Sequence, residues 1–316
     1  MEIVILDGAT VAANDLNFKI LEKFGNLTVY DFTAPDEIVE RCKNADAAFC
    51  NKIVFTKEIF EQLPRLKFLG LFATGYNNID VKAAKELGIT VCNAGSYSTD
   101  AVAQHTFGFI LNNYTRIADY SRFVLSGGWT VSKVFSPVVF PTDEIKGKTL
   151  GIIGYGSIGK KVAEIARVFG MNVIVNTRTV REDGKTEFVS LDELLSKSDI
   201  YSLHCPLTSE NSEMFNAETF VKCKDGAYFI NTARGGLVNE QALFDALDSG
   251  KLSGAALDVI GTEPMNPDCV LLKAKNITIT PHSAWTPFTT RNRVLKIAEE
   301  NYEAFLKGEP KNVVSK

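Results

Sequence analysis

The hydrophobic pattern of the chain changes character every few residues. Residues 2–6, 27–31, 47–51, 67–73 and 90–93 are short apolar runs, each the length of a buried strand. Helical spacing separates them. In 56–63, Thr56 stands where an N-cap is needed, and Ile59, Phe60 and Leu63 form one face. Short strands alternating with helices predict a parallel, doubly wound sheet. At Ser98-Thr99-Asp100 the period becomes purely helical. The pattern predicts one long helix over 101–125, apolar on more than one face through Phe107, Phe109, Ile110, Leu111 and Tyr114. Such a helix is expected to be buried, against a second subunit. His105 lies inside it and reads as structural.

Residues 127–148 contain Pro137, Pro141 and Gly147 and show no period. A second β–α alternation follows, with six apolar runs: Leu150 to Ile153, then 171–175, 200–203, 227–231, 255–259 and 277–280. Ser190 and Glu193 have the spacing of a capping box for 191–197, and Asn239 is placed to cap a helix ending at Gly250. A final helix over 289–306 carries Val294, Leu295, Ala298, Tyr302 and Phe305 on one side. It falls outside the six-strand unit and is expected to return to the first. The chain therefore divides into residues 1–98 with 289–316, and an inserted domain over 99–288. A cleft between two such domains is the natural place for a site.

Gly154, Gly156 and Gly159 follow the apolar run that ends at Ile153, with Tyr155, Ser157 and Ile158 between them. After them, Val162, Ile165, Ala166 and Phe169 recur with helical period. A G-x-G-x-x-G run between a strand and a helix suits a dinucleotide: a tight turn, an open backbone for the pyrophosphate, and close helix–strand packing. The helix N-terminus then offers its N–H groups to the phosphates. An NAD-specific site places an acid at the end of the second strand. Here that position is Thr177, followed by Arg178 and Thr179, and no acid occurs before Glu182. Arg178 and the two threonine hydroxyls suit a 2′-phosphate, so NADPH is expected over NADH, with use of both compatible.

Composition narrows the class. The chain has 316 residues, 45% hydrophobic and 23% charged, with a formal net charge of −4. The net charge gives no reason to expect nucleic acid or an anionic membrane as partner, and no apolar run is long enough to span a bilayer. Met1 leads directly into a strand rather than into a signal peptide. The cysteines, Cys42, Cys50, Cys92, Cys205, Cys223 and Cys269, form no C-x-x-C pair. No metal site is expected, and the thiols fit a reducing cytoplasm.

Three strand ends of the second unit carry chemistry. Asn231-Thr232-Ala233-Arg234-Gly235-Gly236 offers a cation, Asp258 to Pro264 offers acids, and Pro281-His282-Ser283 offers an imidazole. In the first unit, backbone amides at Gly75 and Tyr76 follow a strand end and suit a small anion, a plain βα loop being the other reading. Arg234 can grip a carboxylate with two N–H groups. His282 can protonate a carbonyl oxygen as hydride arrives, and Glu263 can hold that imidazole and favour its charged form.

The sequences ATGYNNID, STDAVAQHT, GIIGYGSIG, HCPLT, NTARGG, ALDV and TPHSAW, in this order, resemble the D-isomer-specific 2-hydroxyacid dehydrogenase family over nearly the whole chain. The resemblance implies an α/β protein of two doubly wound parallel-sheet domains, a Rossmann cofactor domain inserted into a flavodoxin-like substrate domain. It implies Arg234, Glu263 and His282 as the catalytic set, with Gly75, Tyr76, Arg234 and Trp285 at the substrate. It puts His204, Cys205 and Pro206 in the adenine wall. Asp258 falls near the nicotinamide, and Thr232, Ala233, Arg234 and His282 also line the cofactor. The helix from Ala101 is implied as a homodimer interface. ATGYNNID, STDAVAQHT and Trp285 are similar to the glycerate dehydrogenase, or hydroxypyruvate reductase, branch. That branch implies reduction of hydroxypyruvate, and of glyoxylate, by NADP or NAD. D-lactate or another 2-keto acid as substrate, and a nucleotide-sensing co-repressor-like binding protein, are the competing readings.

Overall fold

The computed structural model describes residues 1–315. They form two compact units: Met1–Ser98 with the chain from Trp285 onward, and Thr99–Ala284.

The first unit is built on a five-stranded parallel sheet. In chain order it contains β1 (Glu2–Ile5), β2 (Asn26–Val29), α1 (Ile38–Cys42), β3 (Ala47–Cys50), α2 (Lys57–Glu61), β4 (Phe68–Leu71), α3 (Val81–Glu86) and β5 (Thr90–Cys92), and the strand order is β2-β1-β3-β4-β5. Successive strand residues point to opposite faces, and here both faces are apolar. Val4, Leu6, Leu69 and Leu71 pack with Ile38, Phe55 and Phe60. Ile3, Ile5, Phe49 and Phe68 pack on the other side with Val294, Leu295, Ala298 and Tyr302. A sheet apolar on both faces needs two covers, and the C-terminal helix Phe288–Leu306 supplies the second. Tyr302 meets Phe49 edge-on at 5.7 Å and Phe68 at 4.9 Å. Trp285 belongs to this core, 6.3 Å from the Tyr97 ring. Thr56 occupies the N-cap position of α2, but its side chain does not cap the helix, because its hydroxyl bonds the Glu58 carboxylate instead.

The second unit begins with α4 (Thr99–Thr115) and α5 (Ile117–Leu125). The single helix expected over 101–125 is broken at Arg116, which takes a left-handed φ of 53°. Its guanidinium pairs with Asp119, and this contact offsets part of the roughly 1–2 kcal/mol that such a backbone costs. Then come β6 (Thr149–Ile153), α6 (Ser157–Val168), β7 (Asn172–Asn176), β8 (Glu187–Phe188), α7 (Leu191–Lys197), β9 (Ile200–Leu203), α8 (Ala217–Lys222), β10 (Ala227–Asn231), α9 (Glu240–Asp248), β11 (Leu252–Leu257) and β12 (Ile277–Ile279). All seven strands are parallel, in the order β12-β11-β10-β9-β6-β7-β8. The two-residue β8 adds an edge strand to the six expected.

Ala103, Phe107 and Ile110 of α4 pack with Val162, Ala163 and Ala166 of α6 over one face of this sheet. Caps form where expected: Ser190 accepts from the Glu193 N–H at 3.2 Å, and Asn239 accepts from the Ala242 N–H at 2.9 Å. The Glu193 carboxylate does not close the box but pairs with Lys197 one turn on. The order reverses at β6, with β7 on one side and β9 on the other, and such switch points open a crevice at the carboxyl ends of the strands.

The aromatic cluster under the C-terminal helix sets the stability of the first unit. Phe49→Ala should cost about 3–5 kcal/mol in denaturant unfolding of that unit. A cost below about 1 kcal/mol would mean that Tyr302 and Phe68 close over the gap.

Candidate active site

The turn after β6 shows what each glycine does. Gly154 has φ 96°, and a Cβ there would lie 2.6–2.7 Å from the backbone of His204 and Cys205. A Cβ on Gly159 would lie 2.2 Å from the Gly154 carbonyl. A Cβ on Gly156 would meet nothing within 4 Å. Two glycines therefore permit close backbone approach, and the middle one faces open space of the kind a pyrophosphate needs. Gly156 stands at the N-cap of α6 with no side-chain cap, so the helix dipole and its first amides face that space. The residues present fit a dinucleotide.

Thr177, Arg178 and Thr179 continue from β7, with Arg178 and Thr179 exposed. Among the described residues Arg178 makes no ion pair. Across the switch point, the His204 N–H donates to the Ile153 carbonyl at 2.7 Å, bringing His204, Cys205 and Pro206 beside the glycine turn. His204 as a whole is part-buried, but its Nδ1 is enclosed with no partner, while Nε2 lies 2.8 Å from the Ser202 hydroxyl. Burial pushes this imidazole down to about 3. The Cys205 thiol is pushed up to about 11 by burial, which leaves it protonated and unreactive at neutral pH.

The other residues sit beyond three neighbouring strands, β10, β11 and β12. Asn231 at the end of β10 is buried. Its Nδ2 donates to the Arg234 carbonyl at 2.8 Å, and its Oδ1 accepts from the Ala233 N–H at 3.0 Å. This ties Thr232, Ala233 and Arg234 into one fixed turn. Gly235 follows because any Cβ would lie 1.9 Å from the Ile260 backbone. Arg234 is part-buried and, among the described residues, forms no ion pair. Its Nη1 donates to the Ala233 carbonyl at 2.7 Å.

Beyond β11, Asp258 is 2% exposed. Its Oδ1 accepts from the Thr280 hydroxyl at 2.5 Å and the Ser283 N–H at 2.8 Å, and its Oδ2 accepts from the Ala284 N–H at 3.0 Å. Its main-chain carbonyl accepts the His282 N–H at 2.8 Å. The loop after β12 is thus folded around one carboxylate, and His282 is held at φ 51°. From there the His282 Nδ1 reaches the Glu263 carboxylate at 2.6 Å. A second Glu263 oxygen accepts from the Ile260 N–H at 3.2 Å. His105 on α4 joins the same network, its Nε2 3.1 Å from the Thr280 hydroxyl and 3.7 Å from Asp258. Neither Asn231 nor the His105–Thr280 contact is apparent from sequence, since both depend on which strand ends are neighbours.

Gly75, Tyr76 and Trp285 belong to the first unit. The Gly75–Tyr76 turn follows β4 and is pinned at its base by Thr74, whose carbonyl accepts from Asn93 Nδ2 at 2.7 Å. Tyr76 is exposed. Among the described residues, no cluster of His, Cys, Asp and Glu could hold a metal ion, and no helix is long and apolar enough to cross a membrane.

His204 gives a pH signature. With its folded value near 3 and its unfolded value near 6.5, the unfolded chain binds more protons between them. Stability is therefore full above pH 6.5 and falls as pH drops below it, by up to about 1.4 kcal/mol per pH unit. His204→Asn should flatten the pH dependence of unfolding between about pH 7 and pH 5. An unchanged slope would contradict the buried neutral imidazole.

Known proteins resemble this chain in sequence and in fold. Residues 107–284 match the family model for the D-isomer specific 2-hydroxyacid dehydrogenase, NAD binding domain. The chain is 42% identical to a hydroxypyruvate reductase of Blautia hydrogenotrophica over 100% of both chains. It is 38% identical to a glycerate dehydrogenase of Methylorubrum extorquens, over 99% of this chain and 98% of that one. Among solved structures, an acyclic imino acid reductase in complex with NADPH and D-Arg superposes with a TM-score of 0.88 at 33% identity, covering 99% of this chain and 100% of that one. The chain belongs to the D-isomer-specific 2-hydroxyacid dehydrogenases, NAD-dependent oxidoreductases of 2-hydroxy acids.

Proposed function

We propose that this protein reduces hydroxypyruvate to D-glycerate, and glyoxylate to glycolate, with NADPH preferred to NADH. The observation that carries the chemistry is the 2.6 Å contact between His282 and Glu263, two strand ends from an Arg234 that, among the described residues, pairs with no carboxylate of its own. Arg234 binds the substrate carboxylate through two N–H groups, and Gly75, Tyr76 and Trp285 are the substrate-binding residues we assign in the first unit. Glu263 accepts the Nδ1–H of His282, which fixes the ring and leaves Nε2 to give its proton to the substrate carbonyl oxygen. A nicotinamide dinucleotide, when bound, supplies the hydride. The turn of Gly154, Tyr155, Gly156, Ser157, Ile158 and Gly159 would hold its pyrophosphate. His204, Cys205 and Pro206 would face its adenine, and Thr232, Ala233 and Asp258 its nicotinamide end. The relatives named hydroxypyruvate reductase and glycerate dehydrogenase support the substrate.

The cofactor preference rests on the missing acid. Thr177 stands where a carboxylate would repel a 2′-phosphate, and Arg178 beside it is exposed and, among the described residues, forms no ion pair. The neighbour solved with NADPH is in keeping with this. A homodimer is supported by the apolar side chains left exposed on α5 and the segment after it, Ile117, Leu125, Val131, Phe135 and Val138. The buried side of α4 is spent within its own unit, so this second stretch is the interface we assign. Six free thiols fit a reducing cytoplasm.

A panel of 2-keto acids tests the substrate: hydroxypyruvate should have the highest kcat/KM, and a higher value for pyruvate would overturn the assignment. His282→Gln should lower kcat by about 10²–10⁴-fold with the cofactor dissociation constant nearly unchanged. Arg234→Lys should act mainly on the substrate KM, because an ammonium lacks the two-pronged geometry. The ratio of kcat/KM for NADPH over NADH should be on the order of 10–100, the worth of a hydrogen bond to a charged group. Arg178→Ala should remove most of that ratio. A wild-type ratio below one would refute the preference.

A further inference from the structure

We propose that Tyr155, the aromatic residue inside the glycine turn, is a positioning residue for the loop that reads the ribose end of the cofactor. The inference rests on the reading that Arg178 binds a 2′-phosphate, and it names what holds Arg178 in place.

The loop leaves β7 at Asn176 and returns at β8. Its first end is fixed: the Asn176 carbonyl accepts the Gly154 N–H at 2.8 Å, and Asn176 Nδ2 donates to the Val189 carbonyl at 3.0 Å. Its far end is tied to the glycine turn by a side chain. The Tyr155 hydroxyl lies 2.7 Å from the Thr186 hydroxyl and donates to Asp183 Oδ2 at 3.1 Å. Thr186 also donates to Asp183 at 2.9 Å and accepts from Arg167 of α6 at 2.8 Å. Asp183 Oδ1 accepts the Lys185 N–H at 3.0 Å, closing the turn on itself. The Tyr155 ring is itself held, edge-on to Phe188 of β8 at 5.5 Å with the Lys160 ammonium 5.6 Å from its centre.

A rigid post therefore rises from the phosphate-binding turn and fastens the returning end of the loop. Between the two fastenings lie the six residues 177–182, Arg178 among them. The same bonds engage the Asp183 carboxylate, turning one acid of the loop toward Tyr155. A carboxylate released from this tether would be free to accept a ribose hydroxyl and to repel a phosphate. The hydroxyl of Tyr155 thus acts on cofactor choice through the loop.

Tyr155→Phe keeps the ring and removes one hydroxyl. Two readouts separate this inference from the one it rests on. Amide hydrogen exchange over 178–186 in the cofactor-free protein should rise in Tyr155→Phe and in Thr186→Val, whichever cofactor the wild type prefers. The dissociation constant for NADPH should rise about 3–10-fold in both variants, in line with one lost hydrogen bond, while that for NADH changes less than about twofold. Unchanged exchange would overturn the fastening. Faster exchange with both cofactors weakened equally would overturn the role in selection and leave Tyr155 a structural post. A wild type that prefers NADH would refute the reading of Arg178, with the exchange result still deciding the fastening.

Discussion

One buried carboxylate holds the loop that carries His282 in register. Asp258 sits at the end of β11, between the ends of β10 and β12, and accepts bonds from Thr280, Ser283 and Ala284, while its own carbonyl takes the His282 N–H. A buried charge without partners would cost several kcal/mol. Here each oxygen has donors, so the group is tolerated and the loop has one way to fold. The left-handed backbone of His282 is a consequence. That conformation is unfavourable for a side chain with a Cβ and persists because its surroundings fix it. It brings Nδ1 to Glu263, and everything proposed about proton transfer depends on that approach.

Much of this was legible in the chain. Both domains could be read as parallel α/β units because their strands are short apolar runs between helical periods, and all-parallel sheets are covered on both faces. The glycine turn was legible because its three positions answer to three different backbone demands, and the structure meets each demand at the residue expected. Ser190 and Asn239 cap as their types suggest. The helix break at Arg116 was not legible, since neither glycine nor proline marks it and an arginine carries no left-handed preference. Nor was β8, whose two residues are too few to show a period. Thr56 has the right type at the right position, but a nearby acid competes for its hydroxyl.

The site was legible by residue type and not by arrangement. Arg234, Glu263 and His282 stand out as chemistry-bearing groups after strands. That they follow neighbouring strands comes from the order β12-β11-β10. Supporting residues are harder to find. Asn231 reads as the polar end of a strand, yet it fixes the turn that carries Arg234. His105 reads as a helix residue of no special note, yet it reaches Thr280 from 175 positions away. Contacts at that separation have no signature in a local window.

The way the C-terminal helix closes the first unit has a consequence during synthesis. Ile3, Ile5, Phe49 and Phe68 leave the ribosome before the second unit, and their cover, Val294 to Tyr302, leaves it after that unit. Between the two the whole second unit is translated, and it is continuous in sequence. The second unit therefore has all its parts while the first still shows one bare apolar face to the cell. Domains fold as units as they emerge, and bare faces of this kind are where chains aggregate and chaperones bind. The host domain is thus begun before the inserted one and finished after it, and a ribosome that stalls between residues 285 and 294 would release a chain whose inserted domain is sound and whose host domain is not.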